Sequence, residues 1–555
     1  MAIWIKEPQK FRSENASVYA DIEGLTAFAV TTAETIIKGP FPGNLSAEEA
    51  GAVAAAAALF EADMVKAKTV AMANNTGPYD FRKAGAVKIA DLSNWYGLDK
   101  TITALLPANY PTDKAIWVNP KDYFTKLTEI IASHPKVAVQ GYLLLRALDA
   151  LQGSITTESS SRSEGRWKTC LEYLDTSQKF TVGRFFVGAT YSETLRQYVD
   201  KMAANILVEM KESLLPSLPW LQPEEKARAV KKVDDIVVNV GYPASLSPSS
   251  SSANVNGTTS FLDTRNPESL AAYYRDLNIT STSSFFSNVL SARRHNLHQT
   301  FSLVLRPADR HLLGAGRYPP QFVNAAFNSA DNTMHLFSSL TQSPNLSQDL
   351  PGYAAYGGYG STIGHELFHG FDTNGRLVDE SHAFTSWWSE GTVAEYSRRA
   401  ECFVKQYDGY TYPVPGPDSV PGNSSSGSFG NSTGNSNSNS NSTNTSTAKV
   451  NGAATLAENL SDAGGVRVAY ETWRRTQSVT KDANLPGLEK FTHAQLFFMF
   501  YAKTWCDSYS PERNAMTAPL DNHAVGAWRI KGVLANSRAF REVWGCKAEP
   551  VCELY

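Results

Sequence analysis

The sequence predicts a mainly helical protein folded as two or more lobes, and three observations carry that expectation. At 555 residues the chain is too long for one core of ordinary size, and 42% hydrophobic residues is a globular composition. From Ala16 to about Arg294 apolar residues recur at three- and four-residue spacing, most clearly in Tyr191 to Leu214 (YSETLRQYVDKMAANILVEMKESL). Gly and Pro separate these helical runs. In Pro219 to Val238 a further helix starts where Pro223 suits a first turn and Glu224 and Glu225 follow at the positive dipole end; Gly241-Tyr242-Pro243 is expected to end it. The alanine-rich run Gly51 to Phe60 reads as a buried helix, since it is roughly half the length needed to span a bilayer.

Two stretches interrupt the pattern. Ala244 to Ser260 is rich in Ser, Asn and Gly and reads as a flexible loop. Pro413 to about Ser446 carries almost no apolar side chains and is expected to be a disordered surface insertion. A formal charge of -3 leaves no basic footprint, which argues against a nucleic-acid partner. The amino terminus, MAIWIKEPQKFRSEN, lacks the apolar stretch of a secretory signal. Against that stand N-x-S/T sequons at Asn15, Asn44, Asn74, Asn256, Asn278, Asn345, Asn423, Asn431, Asn441 and Asn444. The five cysteines, Cys170, Cys402, Cys506, Cys546 and Cys552, are odd in number, so in a secreted protein one thiol lacks a partner.

The strongest chemical signal is Gly364-His365-Glu366-Leu367-Phe368-His369-Gly370, an HExxH segment. Histidines at i and i+4 on a helix lie only about 40° apart round its axis, so both rings can face one ion. Glu366 then projects beside that ion, where it can take a proton from a polarised water and pass it to a leaving amine. A third ligand is found in Glu458-Asn459-Leu460-Ser461-Asp462, a helical segment with acids at i and i+4. Glu458 completes a His2Glu zinc set with one position left open. Asp462, one turn on, can accept the second ring N–H of a liganding histidine and fix its tautomer.

With these motifs the chain resembles the neprilysin family of zinc endopeptidases, the M13 peptidases, which are gluzincin-type two-lobed enzymes. The resemblance rests on GHELFHGFDTNGR (Gly364 to Arg376), AENLSDAGG (Ala457 to Gly465), VNAAF (Val323 to Phe327), KTWCDSY (Lys503 to Tyr509) and DNHAVGAWRIKGVLANSRAF (Asp521 to Phe540). Weaker similarity reaches back through RWKTCLEYL, VGRFFV and WLQPEEKARAVKKVDDIVVNVGYP. It implies one Zn2+ per chain, a mainly helical first lobe over residues 1–300 and an α+β catalytic lobe over 301–555 built round the paired helices of His365/His369 and Glu458/Asp462. It further implies that Asn324 and Ala325 hold a bound peptide like an added strand. His523 is implied to stabilise the tetrahedral oxyanion, and Arg529 to bind a carbonyl on the primed side. Asp372 is a candidate partner for a metal-binding histidine, or simply a hydrogen bonder at the helix end. Thr362, Thr504 and Trp505 fall near the wall of the pocket for the residue after the cut, whose apolar character in the family favours cleavage before bulky hydrophobic side chains. The substrates implied are oligopeptides.

Family members begin with a cytoplasmic tail and membrane anchor, or with a signal peptide, ahead of a cysteine-rich segment, and none of these precedes Met1. The resemblance therefore implies a chain that starts inside the first lobe, from a parent that is secreted or faces outward, attached to a membrane only through a segment not present here. It pairs Cys402 with Cys552 and leaves Cys170, Cys506 and Cys546 without partners. Two other readings compete with an active endopeptidase. An aminopeptidase of the same ligand type would need a GxMxN-type segment before HExxH and an acidic anchor, and neither is found. A non-catalytic binding protein on the same fold would be expected to have lost Glu366 or a ligand, and all are intact; only the amino-terminal truncation argues for a catalytically impaired or non-catalytic form.

Overall fold

The computed structural model describes residues 4–6, 46–71, 85–95, 98–111, 113–119, 121–155, 166–242, 262–305, 310, 318–416, 445–479, 481–519 and 521–555. The expected loop Ala244 to Ser260 and most of the expected insertion lie outside these residues. The fold is mostly helical with short sheets, and the chain divides into two compact units: Met1–Phe186 with Pro243–Pro319, and Val187–Tyr242 with Pro320–Tyr555. Residues 187–242 pack with the second unit, so the chain enters that unit twice. The reason is pairing and packing: the strand Val237–Gly241 runs parallel to Thr333–Phe337, nearly a hundred residues later, and the helix Glu193–Glu209 joins the second unit's core.

The first unit is built on the helix Ala47–Ala71, whose Ala54, Ala57 and Phe60 are buried, as the alanine-rich run predicts. Its strands Trp4–Lys6, Ala115–Asn119 and Gly85–Lys88 form one sheet with Ala115–Asn119 in the middle. Ile116, Val118, Tyr123 and Ile130 share a core with Phe60. Among the described residues no helix is long and apolar enough to cross a membrane.

In the second unit the helix expected from Pro219 runs only over Pro223–Asp234, opened by a capping box between Gln222 and Glu225. The following Ile236-Val237-Val238 is β-branched and favours extended backbone, so the chain turns into a strand before Gly241. The resulting sheet has the order Val237–Gly241, Thr333–Phe337, Ala325–Asn328, with the middle strand wholly buried and Ala325–Asn328 at the edge. A second correction concerns the insertion. Its two ends form an antiparallel hairpin, Thr411–Pro415 against Thr445–Lys449, with Pro415 opposite Thr445. Burial of Tyr412 and the stacking of Tyr410 on Trp528, centroids 4.0 Å apart, fix the hairpin to the core.

Candidate metal centre

The HExxH segment closes a long helical run. It begins at Gly352–Ala355, where Asp482 accepts the N–H groups of Gly352 and Tyr353 at 2.8 Å each, widens by one π-helical turn over Tyr356–Gly360, and continues as Ser361–Phe368. Such widened turns are frequent at functional sites. Every residue from Tyr353 to Phe368 is buried. The partner helix, Leu456–Gln477, crosses it at backbone contact: a Cβ on Gly364 would lie 2.6 Å from the Gly465 carbonyl oxygen, and one on Gly465 would lie 2.5 Å from the His365 nitrogen. Only glycine permits that approach, and it brings Glu458 to the two histidines.

His365, His369 and Glu458 offer ligand atoms that all lie within 4.8 Å of one another. Glu458 Oε2 is 3.2 Å from His365 Nε2 and 3.4 Å from His369 Nε2, and the two Nε2 atoms are 3.0 Å apart. Ligands at ~2.0–2.1 Å round a tetrahedral zinc are separated by about 3.3 Å, so the donor set has the size of one face of that tetrahedron. The buried Oε2 receives no well-directed hydrogen bond from the rings beside it, as expected when all three donors aim at a common point. Both Nδ1 atoms are engaged: His365 Nδ1 meets Asp462 Oδ1 at 2.8 Å, and His369 Nδ1 meets Asp372 Oδ2 at 2.8 Å. Donating from Nδ1 leaves each Nε2 lone pair free for a cation.

The electrostatics agree. Burial opposes charge on Glu458, yet the His369, His365 and His523 rings hold its carboxyl well below the usual carboxylate range. Burial likewise opposes charge on Asp462, but the Arg529 guanidinium and His365 bring it down to about 2. These carboxylates in turn push both metal-site histidines toward protonation against the effect of burial. The pocket thus favours positive charge at its centre, which a divalent ion supplies. Glu366 is fully buried beside it, and burial raises its carboxyl above the ordinary glutamate value.

The other expected residues fall as follows. His523 stands at the same carboxylate, its Nε2 3.1 Å from Glu458 Oε2, while its Nδ1 contacts Asp521 at 2.7 Å. Burial lowers its tendency to protonate, but Asp521 and Glu458 outweigh this and raise it to about 9. Arg529 is buried and donates two hydrogen bonds of 2.7 Å to Asp462, with its guanidinium 3.4 Å from the centre of the Trp505 ring. Asn324 Oδ1 accepts from the Ala325 N–H at 3.0 Å at the start of the edge strand. Thr362 is buried on the motif helix, and Thr504 and Trp505 end the helix His493–Thr504. Cys402 and Cys552 form a disulfide, and Cys170, Cys506 and Cys546 are free and exposed.

Sequence reasoning did not single out Asn522, whose amide donates to Glu458 Oε1 at 2.7 Å, nor Asp521, nor Ser461, 3.2 Å from His369 Nδ1. Ser461 and Asn522 lie directly beside Asp462 and His523 in the sequence, and the i+3 spacing from Glu458 to Ser461 is a usable signal.

Two profiles of peptidase family M13 match residues 3–243 and residues 324–425 and 435–552. Membrane metallo-endopeptidase-like 1 of Mus musculus is 27% identical over 473 residues, 82% of this chain and 54% of its own length, and neprilysin of Homo sapiens is 25% identical over 468 residues, 82% and 55%. The chain therefore spans about half the length of the curated relatives it matches. Among solved structures, PepO from Lactobacillus rhamnosis HN001 shares the fold with a TM-score of 0.71 at 18% identity, covering 99% of this chain and 78% of the other. The zinc metalloprotease Zmp1 of Mycobacterium tuberculosis, in complex with inhibitor, gives 0.71 at 19% identity, covering 97% and 75%. The chain belongs to peptidase family M13.

Proposed function

We propose that the chain is a zinc-dependent endopeptidase that cuts oligopeptides on the amino side of hydrophobic residues, with His365, His369 and Glu458 holding one Zn2+. The observation that carries this reading is the convergence of three ligand atoms within 4.8 Å, with both histidine Nδ1 atoms already bound to carboxylates and Glu366 buried alongside. A zinc ion bound there supplies Lewis acidity, making a water nucleophilic near neutral pH and polarising the scissile carbonyl.

The protein's own groups do the rest. Glu366, whose carboxyl burial makes more basic, takes a proton from the attacking water and returns it to the departing amine. His523, whose Nδ1 rests on Asp521, donates a hydrogen bond from Nε2 to the oxyanion as charge develops. Asp462 orients His365 and anchors Arg529, whose guanidinium is offered to a substrate carbonyl. The free side of the edge strand Ala325–Asn328 supports docking of an extended peptide through main-chain hydrogen bonds, with Asn324 at its start. Thr362, Thr504 and Trp505 are assigned to the pocket for the residue after the cut. The Cys402–Cys552 disulfide and the exposed sequon residue Asn278 support an oxidising, outward-facing location.

The test is cleavage of a quenched fluorescent peptide carrying a bulky apolar residue after the cut, by the purified chain with and without chelator, beside Glu366→Gln. Activity that disappears with chelator, returns with zinc and falls roughly 10²–10⁴-fold or more in Glu366→Gln is expected. One zinc per folded chain without cleavage would favour a binding-only protein, and a folded chain that takes up no zinc would remove the ligand assignment.

A further inference from the structure

The helix Pro223–Asp234 ends in two adjacent lysines with opposite fates. Lys231 is exposed, the usual state of a cation in a last helical turn. Lys232 is 0% exposed, and its Nζ donates to three backbone carbonyls: Gly370 at 2.7 Å, Gly375 at 2.7 Å and Val378 at 2.6 Å. An ammonium has three N–H groups, so all are used, and no neutral side chain of this length offers three convergent donors.

Those carbonyls belong to the loop that leaves the HExxH helix. Inside it, Asp372 Oδ1 accepts the N–H groups of Asn374 at 2.8 Å and Gly375 at 2.7 Å, while Oδ2 meets His369 Nδ1. A side chain on Gly375 would overlap the His369 carbonyl, so the loop is folded back tightly onto the ligand's own backbone. The path from Lys232 to the metal ligand is therefore continuous: the Lys232 ammonium, the Gly375 peptide, the Asp372 carboxylate and the His369 ring. The same helix and its C-cap residue Asp235 hold the continuation of the loop. Arg228 Nε donates to both carboxylate oxygens of Glu380, at 2.8 and 2.9 Å, and Asp235 Oδ2 meets His382 Nε2 at 2.6 Å.

We propose that Lys232 is a positioning residue for the metal centre: by tying three carbonyls of the loop 370–378 to one buried ammonium, it sets Asp372 against His369 and so fixes how His369 faces the ion. A buried charge is expensive unless fully paired, and burial brings the Lys232 ammonium down to about 7 against the opposing pull of Asp372, Asp379 and Glu380. A cation kept at that expense has a use beyond solubility, and its three bonds all end on this one loop.

The inference rests on the zinc reading of the site, and the test separates the two. Zinc is stripped from the full chain and titrated back against a chromophoric chelator, for wild type, Lys232→Met, Lys232→Arg, Asp372→Asn and the double variant Lys232→Met/Asp372→Asn, with folding checked by circular dichroism. Loss of an orienting partner weakens metal by about 10–100-fold, so folded Lys232→Met is expected to fall in that range, with kcat reduced at saturating zinc and KM unchanged. The double variant is expected to lose no more than the worse single variant, because both act through one contact. Lys232→Arg keeps the charge, but its planar fork cannot meet three converging carbonyls, so it too should bind zinc more weakly; it is the readout if the methionine variant does not fold. Wild-type zinc affinity in either folded Lys232 variant, or losses that add in the double variant, would overturn the proposal. No zinc uptake by the wild type would instead overturn the metal centre and this inference with it.

Discussion

His365 and His369 leave the same helix four residues apart, and each ring rests its Nδ1 on a carboxylate 2.8 Å away. The supports behind those carboxylates differ. Asp462 comes from another helix, 97 positions along the chain from His365, and is neutralised side chain to side chain by the two-pronged Arg529. Asp372 lies three residues beyond His369, is shaped by a tight turn onto its own following N–H groups, and is steadied through the backbone by Lys232. One histidine is thus oriented by the packing of helices, the other by a local turn pinned from outside. Buried charge at the first support is expected to bear on the stability of the whole unit, and the second chiefly on the loop and the proposed metal centre.

That contrast can be broken by experiment, starting where the effect should be largest. Arg529→Met strips Asp462 of its cation in the core, and losing one partner of a buried pair should lower unfolding stability by about 3–5 kcal/mol. A drop below about 1 kcal/mol in a denaturant titration would show that Asp462 is not dependent on this pair. Gly465→Ala places a Cβ 2.5 Å from the His365 nitrogen and 2.8 Å from the Ser361 carbonyl oxygen. Overpacking of this kind should remove about 1–3 kcal/mol and weaken zinc as the helices part. Unchanged zinc affinity there would mean that helix separation does not control the ligand set.

Asp372→Asn sharpens the other half of the comparison. Zinc affinity should fall about 10–100-fold, with an unfolding midpoint far closer to wild type than that of Arg529→Met. Equal losses of stability in the two variants would erase the distinction between a structural and a local support. The smallest effect belongs to Lys231→Met, one residue from Lys232 and exposed; unfolding stability should stay within about 0.5 kcal/mol of wild type and zinc binding should not move.

Several parts of this site were legible in the residues because they are spaced by helical geometry. HExxH sets two rings on one face whatever surrounds it, and Glu458 with Asp462 repeats the same i, i+4 rule. The Gly464-Gly465 pair is visible in the sequence, yet its purpose, allowing two helices to touch at the backbone, depends on which helix lies opposite. Asp372 reads equally well as a helix-end hydrogen bonder, and the structure gives it both sets of contacts, to His369 Nδ1 and to the N–H groups of Asn374 and Gly375. Local pattern alone carries the expected helix to Val238, because it does not weigh a β-branched run whose partner strand is distant in sequence.

By itself the sequence determined the candidate ligand types, their spacing along each helix and the mainly helical character of the chain, since these follow from short-range periodicity and side-chain chemistry. Tertiary structure alone decided that the chain enters the second unit twice, that Arg529 neutralises Asp462, and that of two adjacent lysines one is solvated while the other is buried on three carbonyls. The physical reason is that burial and pairing depend on what stands opposite a residue. Lys231 and Lys232 are the same side chain in the same helical turn, and only the loop packed against one of them makes it different.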